Sequence, residues 1–198
     1  GTMVSQNDKL LFYESIPDHL TRPLIKAASS LKGVYTVVCT CSGSYVTVEH
    51  KALYAEMDYY YTQHQLIDSF DSITEPIIKI SVCDCDNHNA HESAYNHLLP
   101  YKDDIQLTMA APAWVDIMAK DVNKGVAIQK IQQKLNIKPE ECMAFGDFYN
   151  DKEMLAAVGE SYAMENAIPE LKSIAKHIAP PNSKGGVTKV IRELLRNN

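Results

Sequence analysis

The sequence lacks any apolar run that approaches the roughly 20 residues needed to cross a bilayer, and its start shows no pattern typical of a signal peptide. It also lacks a basic excess, because 19 Lys and Arg residues stand against 25 Asp and Glu residues. We therefore expect no membrane association and no affinity for nucleic acid. The same features predict a soluble, cytoplasmic protein.

Cysteines are few, and their number is odd: Cys39 and Cys41, Cys83 and Cys85, and a separate Cys142. This does not resemble the disulfide framework of a small secreted protein, so we interpret them as reduced thiols. Each closely spaced pair points to one face of a predicted strand, and four sulfurs could therefore meet at zinc. The spacing is shorter than is usual for structural zinc, and we favour ordinary core packing.

The part of the chain before about residue 118 predicts an α+β arrangement with one antiparallel sheet and helices on one of its faces. Apolar residues recur at helical spacing after Pro17, and this helix is predicted to end at Gly33. The stretch from Lys51 to Ser72 has no clear period and is predicted as loop and short helix. Strands are expected in hairpins over 2–15 and 34–49, and over 75–86 and 105–119.

After about residue 118 the pattern changes to short strands that alternate with helices. Such alternation is typical of a parallel α/β sheet. The expected strands are CMAFGD, SYAMEN and HIAP, and the expected helices are KGVAIQKIQQKLN, DKEMLAAVG, IPELKSIA and GGVTKVIRELL.

The stretch AFGDFYND places Asp147, Asn150 and Asp151 directly after a predicted buried strand. Ligands of α/β sheets bind at the carboxyl ends of the strands, and Mg²⁺ takes one or two carboxylates together with phosphate oxygens. The same residues could alternatively cap a helix as solvated side chains. Lys124 opens the helix just upstream and could balance phosphate charge at the same edge, which favours the ligand site.

The order NKGVAI, MAFGDFYNDKEML, YAMENAIPELK and a late GGV closely resembles the Cof-type haloacid dehalogenase-like phosphatases, which carry a large α/β cap. The resemblance covers the whole chain and is strongest from Trp114 onward. It implies a partial Rossmann-like core with a parallel sheet, plus an α+β cap domain with an antiparallel sheet. The implied division is a hairpin attached to the core over 1–16, the substrate-specificity cap over 17–118, and the C-terminal part of the core over 119–198.

The resemblance also implies roles for individual residues. Lys124 matches the lysine that stabilises the phosphoryl group and the nucleophile, and Asp147 matches the acid that ligates Mg²⁺. Asn150 matches the amide that touches the substrate phosphate, and Asp151 matches the acid that supports both the metal site and the lysine. Asp116, near the return from cap to core, is a weaker candidate for a substrate contact.

The activity implied is Mg²⁺-dependent hydrolysis of small phosphorylated metabolites, such as sugar phosphates, through an aspartyl phosphate. However, the family's D-x-D-G-T motif and the Ser/Thr motif after it do not occur in the sequence. We therefore expect an inactive fragment, completed by an N-terminal core segment or by another chain. The alternative is a noncatalytic module of the same fold that binds phosphometabolites or a partner.

Other polar and aromatic groups are assigned ordinary roles. Asp84 and Asp86 follow a strand, as a nucleophile pair would, but no Gly-Thr follows them, and the resemblance places them in the cap. The histidines around NHNAH are interpreted as solvated, and the Tyr59 to Tyr61 run as packing. A zinc site and a hidden nucleophile are therefore not favoured.

Overall fold

The structure is a computed structural model that describes residues 1–7, 9–61 and 63–197. It divides into two compact units, which we call the N-terminal unit (Thr2–Val122) and the C-terminal unit (Gly1 and the residues from Asn123 onward). The division falls four residues after the predicted position at 118. Within the described residues, no helix combines the length and the apolar character that crossing a membrane requires.

The chain opens with the predicted antiparallel hairpin, β1 (Met3–Gln6) and β2 (Lys9–Tyr13). It belongs to the N-terminal unit, whereas we predicted its attachment to the core half. Just after the hairpin, the Ile16 N–H donates to the Ile77 carbonyl at 2.8 Å, which links the segment that follows β2 to another part of the same unit.

A six-stranded sheet forms the centre of the N-terminal unit. The strand order is β5-β4-β3-β6-β8-β7, and neighbours pair antiparallel except for the parallel pair β4 and β5. The predicted antiparallel sheet is therefore confirmed apart from the short strand β5, which the sequence did not indicate. The strands are β3 (Tyr35–Cys39), β4 (Ser44–Val46), β5 (His64–Leu66), β6 (Lys79–Cys83), β7 (Ile105–Ala111) and β8 (Trp114–Ala119).

Helices pack on both faces of this sheet, not on one face as predicted. Side chains alternate along β3, so Thr36 and Val37 point to opposite faces. Thr36 contacts Ser29 of the first helix at 3.3 Å, while Val37 shares a core cluster with Leu53 of the second. The helices are α1 (Asp18–Ser29) and α2 (Lys51–Tyr60), followed by an irregular helical segment (His91–Tyr101) that contains α3 (Asn96–Leu98).

The end of α1 also differs from the prediction. The helix ends at Ser29, and Gly33 lies beyond it in a turn with a φ of +74°. The Ser30 side chain donates to the Ala27 carbonyl at 2.8 Å, and this bond satisfies one of the orphan carbonyls of the last turn.

The C-terminal unit contains the predicted parallel sheet, with strand order β11-β10-β9. Alternating helices connect these strands, and their small and aliphatic side chains form one core cluster with the sheet, including Ala144, Leu155, Leu171 and Ala179. The elements are α4 (Lys124–Leu135), β9 (Met143–Gly146), α5 (Lys152–Ala156), β10 (Glu160–Met164), α6 (Pro169–Ile174), β11 (His177–Ala179) and α7 (Gly186–Asn197).

An asparagine caps each end of α4. The Asn123 side chain accepts from the Val126 N–H at 2.9 Å, which is the usual N-cap bond. Asn136 adopts a left-handed conformation with a φ of 54°, in which asparagine is tolerated, and ends the helix. The caps place Lys124 at the first helical position.

Candidate active site

The turn after β9 depends on a glycine. A Cβ added at Gly146 would lie 2.6 Å from the Cβ of Asp151, which is closer than real side chains approach. Only glycine therefore lets the helical turn Tyr149–Asp151 fold back against the end of the strand. This close approach places the Asp151 side chain against Gly146, the last residue of β9.

Asp151 is buried, with 5% of its surface exposed, and protein groups hold both of its carboxylate oxygens. Its Oδ2 accepts from the backbone N–H of Asp147 at 2.9 Å and from that of Phe148 at 3.4 Å. Its Oδ1 forms an ion pair with the Lys124 ammonium. The carboxylate therefore fixes the shape of the turn and the position of the lysine together.

Lys124 can reach Asp151 because α4 and α5 pack closely. A Cβ added at Gly125 would collide with the backbone of Glu153, so this glycine permits the approach. The Lys124 side chain is 40% exposed, whereas that of Asp151 is 8% exposed. The ammonium thus lies at the boundary between the packed turn and solvent, where it can still meet an anion.

Asp147 follows β9 directly and is half-buried. Its Oδ2 accepts from the Asn166 amide at 3.2 Å, and its carbonyl accepts from the Ile168 N–H at 3.0 Å. One amide donor uses only part of the acceptor capacity of a carboxylate, which has about four lone-pair sites. Asp147 therefore has capacity for a further ligand.

Asn166 is a residue of this site that the sequence reasoning missed. Besides its bond to Asp147, its side-chain oxygen accepts from the Asn182 N–H at 3.0 Å. It therefore ties together the loops that follow all three strands of the parallel sheet. A signal was available, because Asn166 comes just after β10, whose carboxyl end lies at the same edge.

Asn150 lies in the same turn and is half-buried. Within residues 1–7, 9–61 and 63–197, its side chain has no hydrogen-bond partner. The four predicted residues of the C-terminal unit thus occupy one strand edge, where Lys124 and Asp151 touch, Asp147 is joined to Asp151 through its backbone, and Asn150 is adjacent in the turn.

The donor set at this edge fits Mg²⁺. A hard cation takes carboxylate oxygens and keeps several waters, so one or two protein carboxylates are enough. Asp147 has free acceptor capacity, whereas backbone N–H groups and Lys124 already engage Asp151. The geometry therefore favours Asp147 as a direct ligand and Asp151 as the group that orients the site.

Asp116 belongs to the N-terminal unit, on β8, and lies in a different polar cluster. The Ser81 hydroxyl donates to Asp116 Oδ1 at 2.6 Å, and the Lys79 ammonium lies 3.5 Å from Oδ2. The Tyr61 hydroxyl donates to Ser81 at 3.0 Å, and Lys79 lies 5.1 Å from the centre of the Tyr61 ring. We call these four residues the sheet cluster.

Burial and charge shift the titration of groups in and beside the sheet cluster. Desolvation would lower the pKa of Lys79, but the Asp116 carboxylate beside it raises that pKa above its usual value. Burial raises the pKa of the Tyr61 phenol. Burial also raises the pKa of the neighbouring Cys39 thiol to about 11. These groups therefore keep their neutral or cationic forms well into the alkaline range.

Asp84 has a structural role. Desolvation would raise the pKa of its carboxyl group, but hydrogen bonds from the Asn87 N–H and side-chain amide and from the Ser93 hydroxyl lower it. The side chain is 1% exposed and shapes the turn after β6. Both carboxylate oxygens of Asp84 are thus engaged within the turn, which disfavours a nucleophile pair at Asp84 and Asp86.

The two cysteine pairs do not converge on a common point. Strands β3 and β6 are neighbours, but their antiparallel register pairs Cys39 with Lys79 and Tyr35 with Cys83. The two sulfur pairs therefore lie at opposite ends of the strand pair, and four sulfurs cannot share one zinc ion.

The fold and the site define a class: a unit with a parallel α/β sheet whose strand edge carries Lys124, Asp147 and Asp151, and a second unit built on a mainly antiparallel sheet. Residues 1–191 match the family of haloacid dehalogenase-like hydrolases. The chain belongs to this family.

Known proteins support the assignment. A phosphatase of Bacillus subtilis is 36% identical over 95 residues, which are 48% of this chain and 33% of that protein. The HMP-PP phosphatase of Serratia proteamaculans is 44% identical over 70 residues, or 35% of this chain and 26% of that protein. The matched segments thus span about a third or less of these relatives.

The structural likeness extends further along the chain. A haloacid dehalogenase-like hydrolase from B. subtilis superposes with a TM-score of 0.84 over 98% of this chain and 77% of its own, at 24% identity. At this identity the likeness shows the fold, which agrees with the predicted combination of a parallel core sheet and a second α/β unit.

Proposed function

We propose that these 198 residues form the cap and the C-terminal part of the core of a phosphomonoester hydrolase that acts on small phosphorylated metabolites, such as sugar phosphates. The observation that carries the proposal is the Lys124, Asp147 and Asp151 arrangement at one edge of the parallel sheet. Membership of the hydrolase family and the similarity to two phosphatases support the same reaction.

Lys124 would bind the phosphoryl oxygens. The Lys124 ammonium forms an ion pair with Asp151, and the lysine side chain is exposed enough for the ammonium to contact an anion as well. A point charge in a partly desolvated site stabilises developing negative charge more strongly than it could in water. Asn150, whose amide carries two N–H donors, would add a hydrogen bond to the same phosphate.

Asp147 would hold Mg²⁺. The Asn166 amide, which donates to Asp147 Oδ2, would orient the Asp147 carboxylate. When bound, the ion would neutralise part of the phosphate charge and orient the ester. Asp151 would act indirectly, because it fixes both the Asp147 backbone and Lys124. We thus propose Lys124 and Asp151 as the catalytic residues of this edge, and Asp147 and Asp151 as the residues of the metal site.

The attacking group is not supplied by this chain under the proposal. In the complete enzyme, an aspartate carboxylate would attack phosphorus and expel the alcohol, which takes up a proton. Water would then cleave the acyl phosphate and release inorganic phosphate, restoring the aspartate. No D-x-D-G-T motif occurs in the sequence, so the 198 residues should bind phosphate without turning it over.

An additional strand would complete the parallel sheet beside β9. Among the described residues β9 pairs only with β10, and its residue Met143 is 37% exposed. Parallel sheets are normally covered, and open edges pair with other chains. We propose that an N-terminal core segment or a second chain occupies this edge, and light scattering that finds a soluble monomer would count against it.

Asp116 would help to select the substrate through the sheet cluster. Its carboxylate is bound to Ser81 and Lys79 but retains acceptor capacity for a hydroxyl group. An Asp116→Asn change should then alter which phosphate esters the complete enzyme prefers, without removing phosphate binding.

The second candidate function is a noncatalytic module that binds phosphometabolites or a partner. It shares the binding site and differs only in whether a nucleophile is ever supplied. Reading the coding sequence upstream of residue 1 separates the two, since an in-frame D-x-D-G-T would favour the enzyme.

The proposal is tested by incubating the chain with Mg²⁺ and a generic aryl phosphate. We expect no release of the aryl alcohol from the chain alone, together with competition by the ester for bound inorganic phosphate. Turnover by the isolated chain would refute the assigned lack of a nucleophile, and failure of the ester to compete would refute the phosphate site.

A further inference from the structure

Three side chains with different ligand atoms meet in the N-terminal unit, away from the sheet cluster residues described above. They are His50, Cys85 and Asp86, and their ligand atoms all lie within 4.8 Å of one another. His50 precedes α2 as its N-cap, while Cys85 and Asp86 follow β6. We call these three residues the His50 cluster. None of them belongs to the proposed phosphate site.

The separations suit a tetrahedral metal ion. With zinc-to-sulfur and zinc-to-nitrogen bonds of about 2.3 Å and 2.0 Å, tetrahedral geometry places sulfur and nitrogen about 3.5 Å apart. The Cys85 Sγ lies 3.8 Å from the His50 Nδ1. Side-chain adjustments of a few tenths of an ångström would therefore bring these two atoms to coordination distance.

The His50 Nδ1 atom acts as a hydrogen-bond acceptor beside the cluster. His50 Nδ1 accepts from the Leu53 N–H at 3.4 Å, which requires an unprotonated Nδ1. That distance is at the long end for a hydrogen bond, so a cation could replace the contact at low cost. Tyr35 stacks on the imidazole with ring centres 4.3 Å apart and thereby fixes the plane of the ring.

The cluster has both a packed side and an open side. Cys85 is buried, His50 is half-buried and Asp86 is exposed, so a cation can enter past the carboxylate. Core packing explains the burial of Cys85, and helix capping explains His50. Neither role accounts for the convergence of the thiol, the imidazole and the Asp86 carboxylate.

A nucleophilic role for the thiol is disfavoured. Burial, followed by the Asp86 charge, raises the pKa of Cys85, so the free thiol holds its proton and reacts poorly. A mixed set of thiolate, imidazole and carboxylate is instead typical of zinc and related ions, while Mg²⁺ avoids sulfur.

We propose that His50, Cys85 and Asp86 bind a divalent ion of the zinc type, with a fourth position open to water or a small ligand. The ion would join the start of α2 to the segment after β6. This site is independent of the Mg²⁺ assignment in the C-terminal unit, because it uses different residues and a different kind of ligand set.

The test is titration of the metal-free chain with Co²⁺, followed by absorption spectroscopy. We expect a thiolate-to-cobalt charge-transfer band and the visible bands of a tetrahedral ion, which saturate at one ion per chain and disappear when Zn²⁺ is added. Cys85→Ser should abolish the charge-transfer band. His50→Asn, which preserves a helix-capping side chain, should weaken binding by at least ~10-fold.

Asp86→Asn is the decisive variant, because an exposed side chain can be changed without disturbing the core. We expect it to weaken Co²⁺ binding by ~10-fold or more, while Cys142→Ser leaves the spectrum unchanged. The absence of a thiolate band in the unaltered chain, a band that persists in Cys85→Ser, or unchanged affinity in Asp86→Asn would each overturn the proposal.

Discussion

The two units each contain a lysine and aspartate pair, and the pairs are held in different ways. In the C-terminal unit, backbone N–H groups of Asp147 and Phe148 fix Asp151, which in turn holds Lys124. In the N-terminal unit, side chains hold the pair of Lys79 and Asp116 within the sheet cluster.

This difference sets what each pair can do. Backbone donors fix a carboxylate without using side chains, so Lys124 and Asp147 keep capacity for an external ligand. In the sheet cluster, Ser81 and Tyr61 use much of the hydrogen-bonding capacity, and the cluster mainly satisfies itself. The comparison therefore assigns ligand binding to the pair of Lys124 and Asp151. It assigns to the pair of Lys79 and Asp116 mainly a structural role, with the proposed part of Asp116 in substrate selection.

The strongest way to break the first pair is Asp151→Ala. The change removes the acceptor of two backbone N–H groups and leaves Lys124 without its partner, at a cost of about 2 to 4 kcal/mol in the C-terminal unit. Hydrogen exchange of amides in α4 and in the turn after β9 should report the loss of protection. Glu153→Gln, at an exposed neighbouring position, is the matched control and should retain protection.

Gly125→Ala tests the close packing of α4 against α5, which places Lys124 beside Asp151. The added methyl group would collide with the Glu153 backbone, and we expect a loss of about 1 to 3 kcal/mol. Gly43→Ala is the control, because nothing lies within 4 Å of the added Cβ. If urea unfolding followed by circular dichroism gave equal stabilities for both variants, the proposed packing constraint would be contradicted.

Alkaline pH should destabilise the N-terminal unit. The pKa of Cys39 is 9.0 in the unfolded chain and about 11 in the fold, so the fold favours the neutral thiol. The stabilisation is fully present below pH 9 and is lost as the pH rises to 11, by about 1 to 3 kcal/mol. The raised pKa values of Tyr61 and Lys79 act in the same direction.

The single tryptophan, Trp114, lies in the N-terminal unit and provides the readout. Urea midpoints from its fluorescence should fall between pH 9 and pH 11, and Cys39→Ala should reduce the fall. A midpoint that rises over this range would contradict the assigned sign.

The sequence was informative where the structure is local. Asp147 to Asp151 form one turn after one strand, and Lys124 begins the preceding helix, so spacing alone brought them to one edge. The hairpins and the parallel sheet followed from equally local patterns of apolar residues and turns.

The missed features depend on distant parts of the chain. The sheet cluster combines Tyr61, just after α2, with residues of β6 and β8, and the register that joins them has no signature in any one segment. Strand β5 has only three residues, and its parallel register with β4 pairs Ser44 with His64 and Val46 with Leu66. Asn166 comes just after β10, but its bond to Asp147 depends on β10 lying beside β9 in the sheet.

The central claim is that the edge after β9 binds phosphate together with Mg²⁺. Phosphorus NMR of inorganic phosphate, with and without Mg²⁺, tests it most directly when the unaltered chain is compared with Asp147→Asn and with the exposed control Glu170→Gln. The account predicts Mg²⁺-dependent line broadening in the unaltered chain and the control, and its loss in Asp147→Asn. Equal broadening in all three chains, or none in any of them, would contradict the account.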